Sequence, residues 1–271
     1  MGELRTCPIT GLVVLVDRGK LDRRVAPLPV PQPCPWCTRE GPLTIAIGEG
    51  VWASPHPRPV LRVEESGEIR RRGAVVSRDG LGAHEVILGD HATDDTRCLR
   101  LVQRRFQDLR RDARLRGFRA ARRHAPGHHV VWQLWALPFE GVPGAPWRWR
   151  DDELRAGERV VQQEADAVAI LAWAPRAPFE TWVLPREGRG GFEAAELSAV
   201  ATLATRMAAR VSRALAGAPV DLVLADGEPW RVEIVPVSPP AALFPTVTGI
   251  PHHGGVPELV AEYLRVTPET P

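Results

Sequence analysis

The sequence predicts an α+β protein in which two similar modules, each an antiparallel sheet with one packed helix, form one compact unit. Short apolar runs that are typical of strands are separated by proline-rich and turn-rich segments at 27–42, 53–59 and 140–148. Two longer segments carry apolar side chains at helical spacing instead. The order strand, helix, strand occurs in both halves, which indicates a duplicated module.

The predicted elements follow in chain order. The first half has strands GLVVLV (11–16), PVLRVE (59–64) and AHEVILG (83–89), a helix through the arginine-rich segment 97–123, and a strand in GHHVVWQLWALP (127–138). The second half has strands at 167–175 and 179–185, a helix, strands at 221–225 and 230–237, and a short last helix at 256–265. The apolar face of the second-half helix carries Leu197, Val200, Ala204, Met207 and Val211. We place the module boundary near 150, which gives modules 1–150 and 151–271.

The two halves share a faint repeat. HEVIL, helix and HVVWQLWALP in the first half correspond to FETWVL, helix and WRVEIVPV in the second. Glu85 and Glu180 are 95 positions apart, and Gln133 and Glu233 are 100 apart. If 127–138 is a strand, side chains two positions apart share a face, so His129, Val131, Gln133 and Trp135 lie together.

Composition excludes several classes of protein. Of the 271 residues, 44% are hydrophobic and 25% charged, as in soluble globular proteins. No apolar run reaches the roughly 18 residues of a membrane span. The first residues lack the basic and apolar regions of a secretory signal, so we expect a cytoplasmic protein without a membrane partner.

The segment from Arg97 to Arg123 is strongly basic. It contains eleven arginines and only two acidic residues, Asp108 and Asp112. Leu99, Val102, Phe106, Leu109 and Ala113 recur in it at helical spacing, so we expect an amphipathic helix with a solvated arginine face. A face that binds nucleic acid or phosphate is the less favoured alternative.

Cys34 and Cys37 form a C-x-x-C motif in PCPWC, while Cys7 and Cys98 stand alone. A thioredoxin-like redox pair belongs between a strand and a helix, but this motif lies in a proline-rich stretch. Half of a metal site is therefore the favoured interpretation.

Several segments, in this order, resemble the galactose-1-phosphate uridylyltransferase family of the histidine-triad superfamily. They are LRTCPITGLVVLV, CPWC, SPHPRPVLRVE, GAHEVILGDH, WQLWALPF, PRAPFETWVLPR and TGI with PELVAEYLR, and they span almost the whole chain. The resemblance implies two histidine-triad-like modules and a homodimer.

The resemblance also implies a structural Zn²⁺. Family members often bind zinc with two thiolates, a histidine after the HEVI strand and the first histidine of an H-P-H motif. These become Cys34, Cys37, His91 and His129. Two thiolates and two imidazoles suit a closed tetrahedral site. His84 is a rival ligand.

The family's reaction needs a residue that this chain lacks. In the family, the second histidine of H-P-H attacks the α-phosphorus of a nucleotide sugar, and a glutamine follows two positions later. The corresponding residues here are Val131 and Gln133, and an isopropyl group cannot attack phosphorus. We expect His128 to face away from Val131, and His129 would have to leave the metal to replace the nucleophile.

Other departures lie at predicted ligand contacts. His56 stands where the family has an asparagine, and residues 229–233 replace the second module's H-W-H-x-E segment, so no second metal is expected. The nucleotide contacts that we predict are Gln133, His56, Arg58 and Arg231.

Three functions remain open. The leading one is a zinc-stabilised, catalytically impaired protein that binds a nucleotide, a nucleotide sugar or a protein partner. The second is an active nucleotidyltransferase or phosphorylase with an altered mechanism, such as direct displacement, helped by His56, His128 or Arg231. The third is a nucleic-acid or protein-binding module that uses the arginine-rich segment.

Overall fold

The computed structural model of the chain describes residues 2–6, 13–17, 45–48, 50–57, 59, 61–66, 68–72, 75–78, 81–89, 93–124, 130–138, 147–188, 190–227, 230–237 and 251–268. The chain divides into two compact units. The smaller unit comprises residues 32–122 and 129–141, and the larger unit comprises residues 1–31, 123–128 and 142–271.

Both units combine strands with helices. The strands are β1 (Gly2–Thr6), β2 (Val13–Asp17), β3 (Ala46–Gly48), β4 (Val51–Pro55), β5 (Ile69–Arg72), β6 (Val75–Arg78), β7 (Ala83–Gly89), β8 (Gly117–His124), β9 (Val131–Leu137), β10 (Val160–Gln163), β11 (Ala167–Leu171), β12 (Thr181–Pro185), β13 (Val220–Ala225), β14 (Arg231–Pro236) and β15 (His252–His253). The helices are α1 (Asp95–Leu109), α2 (Trp147–Ala156), α3 (Ser198–Ala214) and α4 (Pro257–Val266), with a short 3₁₀ helix at Phe192–Ala194. The predicted α+β class is confirmed. Within the ranges described, no helix has the length and apolar character needed to cross a bilayer.

The smaller unit contains a sheet with the strand order β8-β9-β7-β4-β3, in which neighbouring strands are antiparallel. Helix α1 packs against β3, β4, β7 and β9 through a buried stripe of Leu99, Leu101, Val102 and Phe106. The side chain of Asp94 caps the helix by accepting a hydrogen bond from the Arg97 backbone N–H at 2.9 Å. One face of the sheet is therefore covered by α1.

The larger unit contains a sheet with the order β10-β11-β12-β14-β13. Every residue of β11 is buried, as are the first four residues of β12, so both faces of these strands are covered. Helix α3 packs against β11, β12, β13 and β14, and α4 packs against β10 and β11. A second apolar cluster gathers Val168, Ile170, Trp182 and Leu184, with Trp149 of α2 packed against it. Continuous apolar runs such as AVAIL are typical of strands buried on both faces.

The two sheets have the same connectivity, which supports the predicted duplication. In the smaller unit the chain runs β3, β4, β7, α1, β8, β9, and the last two strands exchange places in the sheet. In the larger unit it runs β10, β11, β12, α3, β13, β14, with the same exchange. Each helix thus stands between the third and fourth strands of an equivalent module.

Strand register corrects one of the two repeat correspondences. Gln133 lies opposite Val86, and Glu233 lies opposite Trp182 in the equivalent strands, which agrees with the predicted Gln133–Glu233 match. Counting back two residues then places Glu180 at the position of His84, so the match of Glu180 with Glu85 was wrong by one residue. A shift of one position moves a side chain to the other face of a sheet, and Glu85 indeed points at α1.

The helix expected over 97–123 ends much earlier than predicted. Helix α1 ends at Leu109, and β8 begins at Gly117. The residues between them form turns, one of which is closed by a hydrogen bond from the Asp112 N–H to the Leu109 C=O at 3.1 Å. In β8, Phe118, Ala120 and Arg122 are buried at every second position. The many arginines of this segment obscured the alternation of buried and exposed residues in β8. Because the segment is part helix and part strand, its arginines do not form one helical face.

The strand predicted at 59–64 was also wrong. Residues 61–65 form a bend and a turn, closed by the Glu65 N–H to Arg62 C=O hydrogen bond at 3.3 Å, with one isolated bridge from Arg62 to Leu81. The strand that pairs with β7 on the side away from β9 is instead β4 at Val51–Pro55, which the sequence analysis missed.

The compact units do not follow the predicted division at residue 150. Residues 1–31 belong to the larger unit because β2 pairs in parallel with β15 near the C-terminal end, with His252 opposite Leu15. The organisation into modules 1–150 and 151–271 stays a prediction.

Candidate functional site

Strand β9 carries the position where the nucleophile was expected. Trp132, Leu134 and Ala136 are fully buried, whereas Val131 and Gln133 are half-buried, as are Trp135 and Leu137. The predicted alternation of faces is therefore confirmed over this strand. Val131 and Gln133 share the face of the sheet that points away from α1.

Gln133 is held by a histidine from the neighbouring strand. The Nε2 atom of His84 on β7 lies 3.1 Å from Oε1 of Gln133. The His84 ring stacks on the ring of His56 with a centroid distance of 4.0 Å and an interplanar angle of 8°, and it also stacks with Trp135 at 5.2 Å and 22°. We call these four residues, His56, His84, Gln133 and Trp135, the His84 cluster.

The hydrogen bond to Gln133 fixes the protonation of His84. A carboxamide oxygen only accepts, so Nε2 of the imidazole carries the hydrogen and donates it. Burial lowers the pKa of His84 below its ordinary value, the hydrogen bond with Gln133 opposes that shift, and the charge of His56 adds to it. At neutral pH His84 is therefore an uncharged imidazole with its proton on Nε2.

This lowered pKa predicts a pH dependence of stability. Between the native pKa and the unfolded value of 6.5, the unfolded chain binds a proton at His84 and the native chain does not. The group therefore makes the free energy of unfolding fall as the pH decreases through that window. His84→Phe is expected to reduce the slope, measured as thermal midpoints from about pH 7.5 to about pH 5. Parallel profiles for the two proteins would contradict the shift.

A cavity of about 620 Å³ adjoins the His84 cluster within the smaller unit. Its walls are mostly apolar, and Ile45 and Val63 on its wall are large hydrophobic side chains exposed to solvent. The polar lining includes His84 and the buried Glu85, whose carboxylate accepts two hydrogen bonds from Arg105, at 2.9 and 2.8 Å. This pairing raises the pKa of Arg105, so the guanidinium stays charged. Ligand pockets in proteins are typically apolar with a few polar groups, and this lining has that character.

On the opposite face of β9, a buried carboxylate joins α1 to the sheet. Asp95 accepts a hydrogen bond from Nε1 of Trp132 at 2.8 Å and forms an ion pair with Arg122 of β8. Asp95 is 3% exposed and Arg122 is 7% exposed. This contact holds the strand that carries Val131 and Gln133, and the sequence analysis missed it.

Arg231, a predicted nucleotide contact, lies in the core of the larger unit. Its Nη2 atom is 2.5 Å from Oε1 of Glu233, and its guanidinium lies 4.6 Å from the centre of the Trp182 ring. Arg176 donates to Glu233 at 2.6 Å and to Glu180 at 2.7 Å. We call Arg176, Glu180, Arg231 and Glu233 the Arg231 cluster. Its geometry favours a structural role for Arg231.

The structure brings together only part of the predicted site. His56 and Gln133 both contact His84, while Arg231 belongs to its own cluster in the larger unit. The predicted zinc ligands Cys34, Cys37, His91 and His129, and also Arg58 and His128, lie outside the residues that the structure describes. The zinc site and the position of Arg58 therefore stay predictions.

His84 was considered only as a rival zinc ligand, and its role beside Gln133 was missed. It does not lie at the position where the family resemblance places a nucleophile, because Val131 lies opposite Leu88 and His84, four residues earlier in β7, lies opposite Trp135. Alternation along a strand is enough to tell that His84 shares a face with Val86 and Leu88. Only the register between β7 and β9 could have paired it with Gln133.

The sequence matches no protein-family model and no curated protein sequence. The fold is similar to that of solved structures over almost the whole chain. A GalT-like protein from Arabidopsis thaliana aligns with a TM-score of 0.74 and 17% identity over 99% of both chains. An ADP-glucose phosphorylase from Arabidopsis thaliana, solved with bound ADP-glucose, aligns with a TM-score of 0.74 and 19% identity over 100% of both chains. A uridylyltransferase aligns with a TM-score of 0.63 and 18% identity over 98% of both chains. At these identities the likeness shows the fold.

Proposed function

We propose that this chain is a divergent member of the galactose-1-phosphate uridylyltransferase family that binds a nucleotide or nucleotide sugar without forming a nucleotidyl-histidine. The ligand lies on the face of the smaller unit's sheet that carries Val131 and Gln133. Support comes from the shared fold, and from the ADP-glucose bound to one protein of that fold.

One observation is the basis for proposing that no nucleotidyl group is transferred to a histidine. Val131 sits on the same face of β9 as Gln133, so an aliphatic side chain stands beside the retained amide where the family places its attacking imidazole. Carbon in an isopropyl group has no lone pair to attack phosphorus. Ligand contacts in this proposal are Gln133, His56 and Arg58, and Arg231 has a structural role.

The proposal includes one structural Zn²⁺ held by Cys34, Cys37, His91 and His129. Its support is the donor set, two thiolates and two imidazoles, which is typical of closed structural zinc sites. Metal analysis of the purified chain should give one zinc per chain, and Cys34→Ser with Cys37→Ser should remove it. A metal-free, folded protein would eliminate this part of the proposal.

Isothermal titration with ADP, UDP, ADP-glucose and UDP-glucose tests the binding. We expect saturable binding of at least one of these ligands, and a weaker affinity in Gln133→Ala, because that variant removes a proposed ligand contact. Asp152→Ala, on the exposed side of α2, is the control and should bind as the unchanged protein does. The absence of binding by all four ligands would overturn the proposal.

An active enzyme with an altered mechanism is the second candidate, and the His84 cluster is the observation that favours it. An uncharged imidazole beside Gln133 could act as a general base for direct displacement. Turnover assays with nucleotide sugars and hexose 1-phosphates, or with inorganic phosphate, distinguish the two candidates. Nucleotidyl exchange by the unchanged protein, with no nucleotidyl group attached to the chain, would establish the second candidate.

A further inference from the structure

The two polar atoms of the Gln133 amide differ in their hydrogen bonding. Its Oε1 atom accepts the hydrogen bond from His84, and its Nε2 atom has no hydrogen-bond partner among the residues described. The side chain is half-buried, so part of it reaches the surface of the sheet. Two N–H donors are therefore presented on the sheet face that carries Val131.

The His84 ring is itself held in place. It is buried and stacks on two other aromatic rings, those of His56 and Trp135, which restricts rotation of the imidazole. In the observed arrangement the Nε2–H of His84 is directed at the Oε1 atom of Gln133. Rotating the Gln133 amide by 180° would place its NH₂ group against the N–H of His84. That arrangement loses a hydrogen bond and places two donors in contact.

We propose that His84 is a positioning residue that keeps the NH₂ group of Gln133 turned towards the ligand, so that the site selects ligands presenting phosphoryl oxygens. This inference rests on the proposed function, since it concerns the same sheet face. Without His84 the amide can present its carbonyl oxygen instead. A carbonyl oxygen is an acceptor and repels the acceptor oxygens of a phosphate.

The orientation is insensitive to the titration of His84. Both the neutral imidazole protonated on Nε2 and the imidazolium donate from Nε2, so either form holds Oε1. Selection for phosphoryl oxygens should therefore persist above and below the pKa of His84. A site that relied on the positive charge of an imidazolium would lose that selection as the pH rises.

Three variants and two ligands separate positioning from a general structural role. His84→Phe keeps an aromatic ring and removes the donor, His84→Gln keeps a donor near the position of Nε2, and Gln133→Glu keeps an acceptor for His84 but has no N–H. The ligands are ADP, which carries phosphoryl oxygens, and adenosine, which does not. Gln107→Glu, on the exposed side of α1, makes the same charge change as Gln133→Glu and serves as the control.

We expect His84→Phe and Gln133→Glu to weaken ADP binding by about fivefold or more, in line with the loss of one hydrogen bond to a charged group. Adenosine binding should change by less than about twofold, His84→Gln should recover most of the ADP affinity, and Gln107→Glu should bind both ligands normally. Equal losses for ADP and adenosine in His84→Phe would mean a structural role and overturn the inference. So would unchanged ADP binding.

Nitrogen-15 chemical shifts of the His84 imidazole in the ligand-free protein provide an independent readout. We expect a protonated Nε2 at neutral pH, and a change in the Gln133 side-chain amide resonances in His84→Phe. Protonation on Nδ1 instead would overturn the inference directly. If the unchanged protein binds neither ADP nor adenosine but does show protonated Nε2, the proposed ligand class fails while the positioning of Gln133 by His84 stands.

Discussion

Replacing Glu233 with alanine is expected to lower the free energy of unfolding by about 3–5 kcal/mol, because it leaves a buried arginine without its carboxylate. Arg231 is 3% exposed and Glu233 is 4% exposed, so water cannot take over the lost contact. The Nε atom of Arg231 already lacks a hydrogen-bond partner within the described part of the chain, which leaves little to compensate. Urea unfolding followed by circular dichroism measures the change.

Two further variants test the cause of that loss. Replacing both members of the pair, Arg231→Leu with Glu233→Met, should recover much of the stability, since apolar side chains of similar volume often substitute for a buried ion pair. Asp152→Ala removes an exposed ion pair with Arg155 and should leave stability almost unchanged. A cost for Glu233→Ala no greater than that for Asp152→Ala would show that the Arg231 cluster is not buried in solution.

Asp95→Ala is expected to have a comparable effect in the smaller unit, about 3–5 kcal/mol. It removes the carboxylate that pairs with the buried Arg122 and accepts from Trp132. Trp132 lies between Val131 and Gln133 on β9, so the variant should also weaken nucleotide binding by disturbing this strand. Denaturant unfolding and titration of the same preparation measure both effects.

Asp95→Asn separates the two contacts of Asp95. The asparagine can still accept from Trp132 but lacks the negative charge that pairs with Arg122, so most of the loss should remain. Asp94→Asn, one residue earlier and exposed, is the matched control, because asparagine caps a helix as well as aspartate does. If Asp94→Asn and Asp95→Ala cost the same, the ion pair does not anchor α1 as described.

The sequence predicted the parts of the fold that depend on local periodicity. Alternation along β9 gave the correct face for Val131 and Gln133, and helical spacing gave the buried stripe of α1 up to Phe106. The end of α1 could not be predicted in the same way. Arginines occupy both the helix surface and β8, so composition concealed the change of period.

Contacts between residues far apart in the sequence could not be predicted from local patterns. Asp95 and Arg122 are 27 positions apart, and their pairing depends on how α1 crosses the sheet. His84 and Gln133 are 49 positions apart and meet only in the observed register of β7 against β9. Arg231 was predicted to contact a nucleotide, and the sequence alone did not show that its guanidinium pairs with Glu233.

Intact-mass spectrometry of the purified chain after incubation with UDP-glucose and with ADP-glucose tests the central claim most directly. The incubation uses ligand concentrations at which titration shows the site to be filled, and the protein is kept at neutral to alkaline pH to preserve any phosphorus–nitrogen bond. We expect an unchanged mass with a filled site. A mass increase by one nucleoside monophosphoryl group, mapped to His84 or any other histidine, would contradict the account.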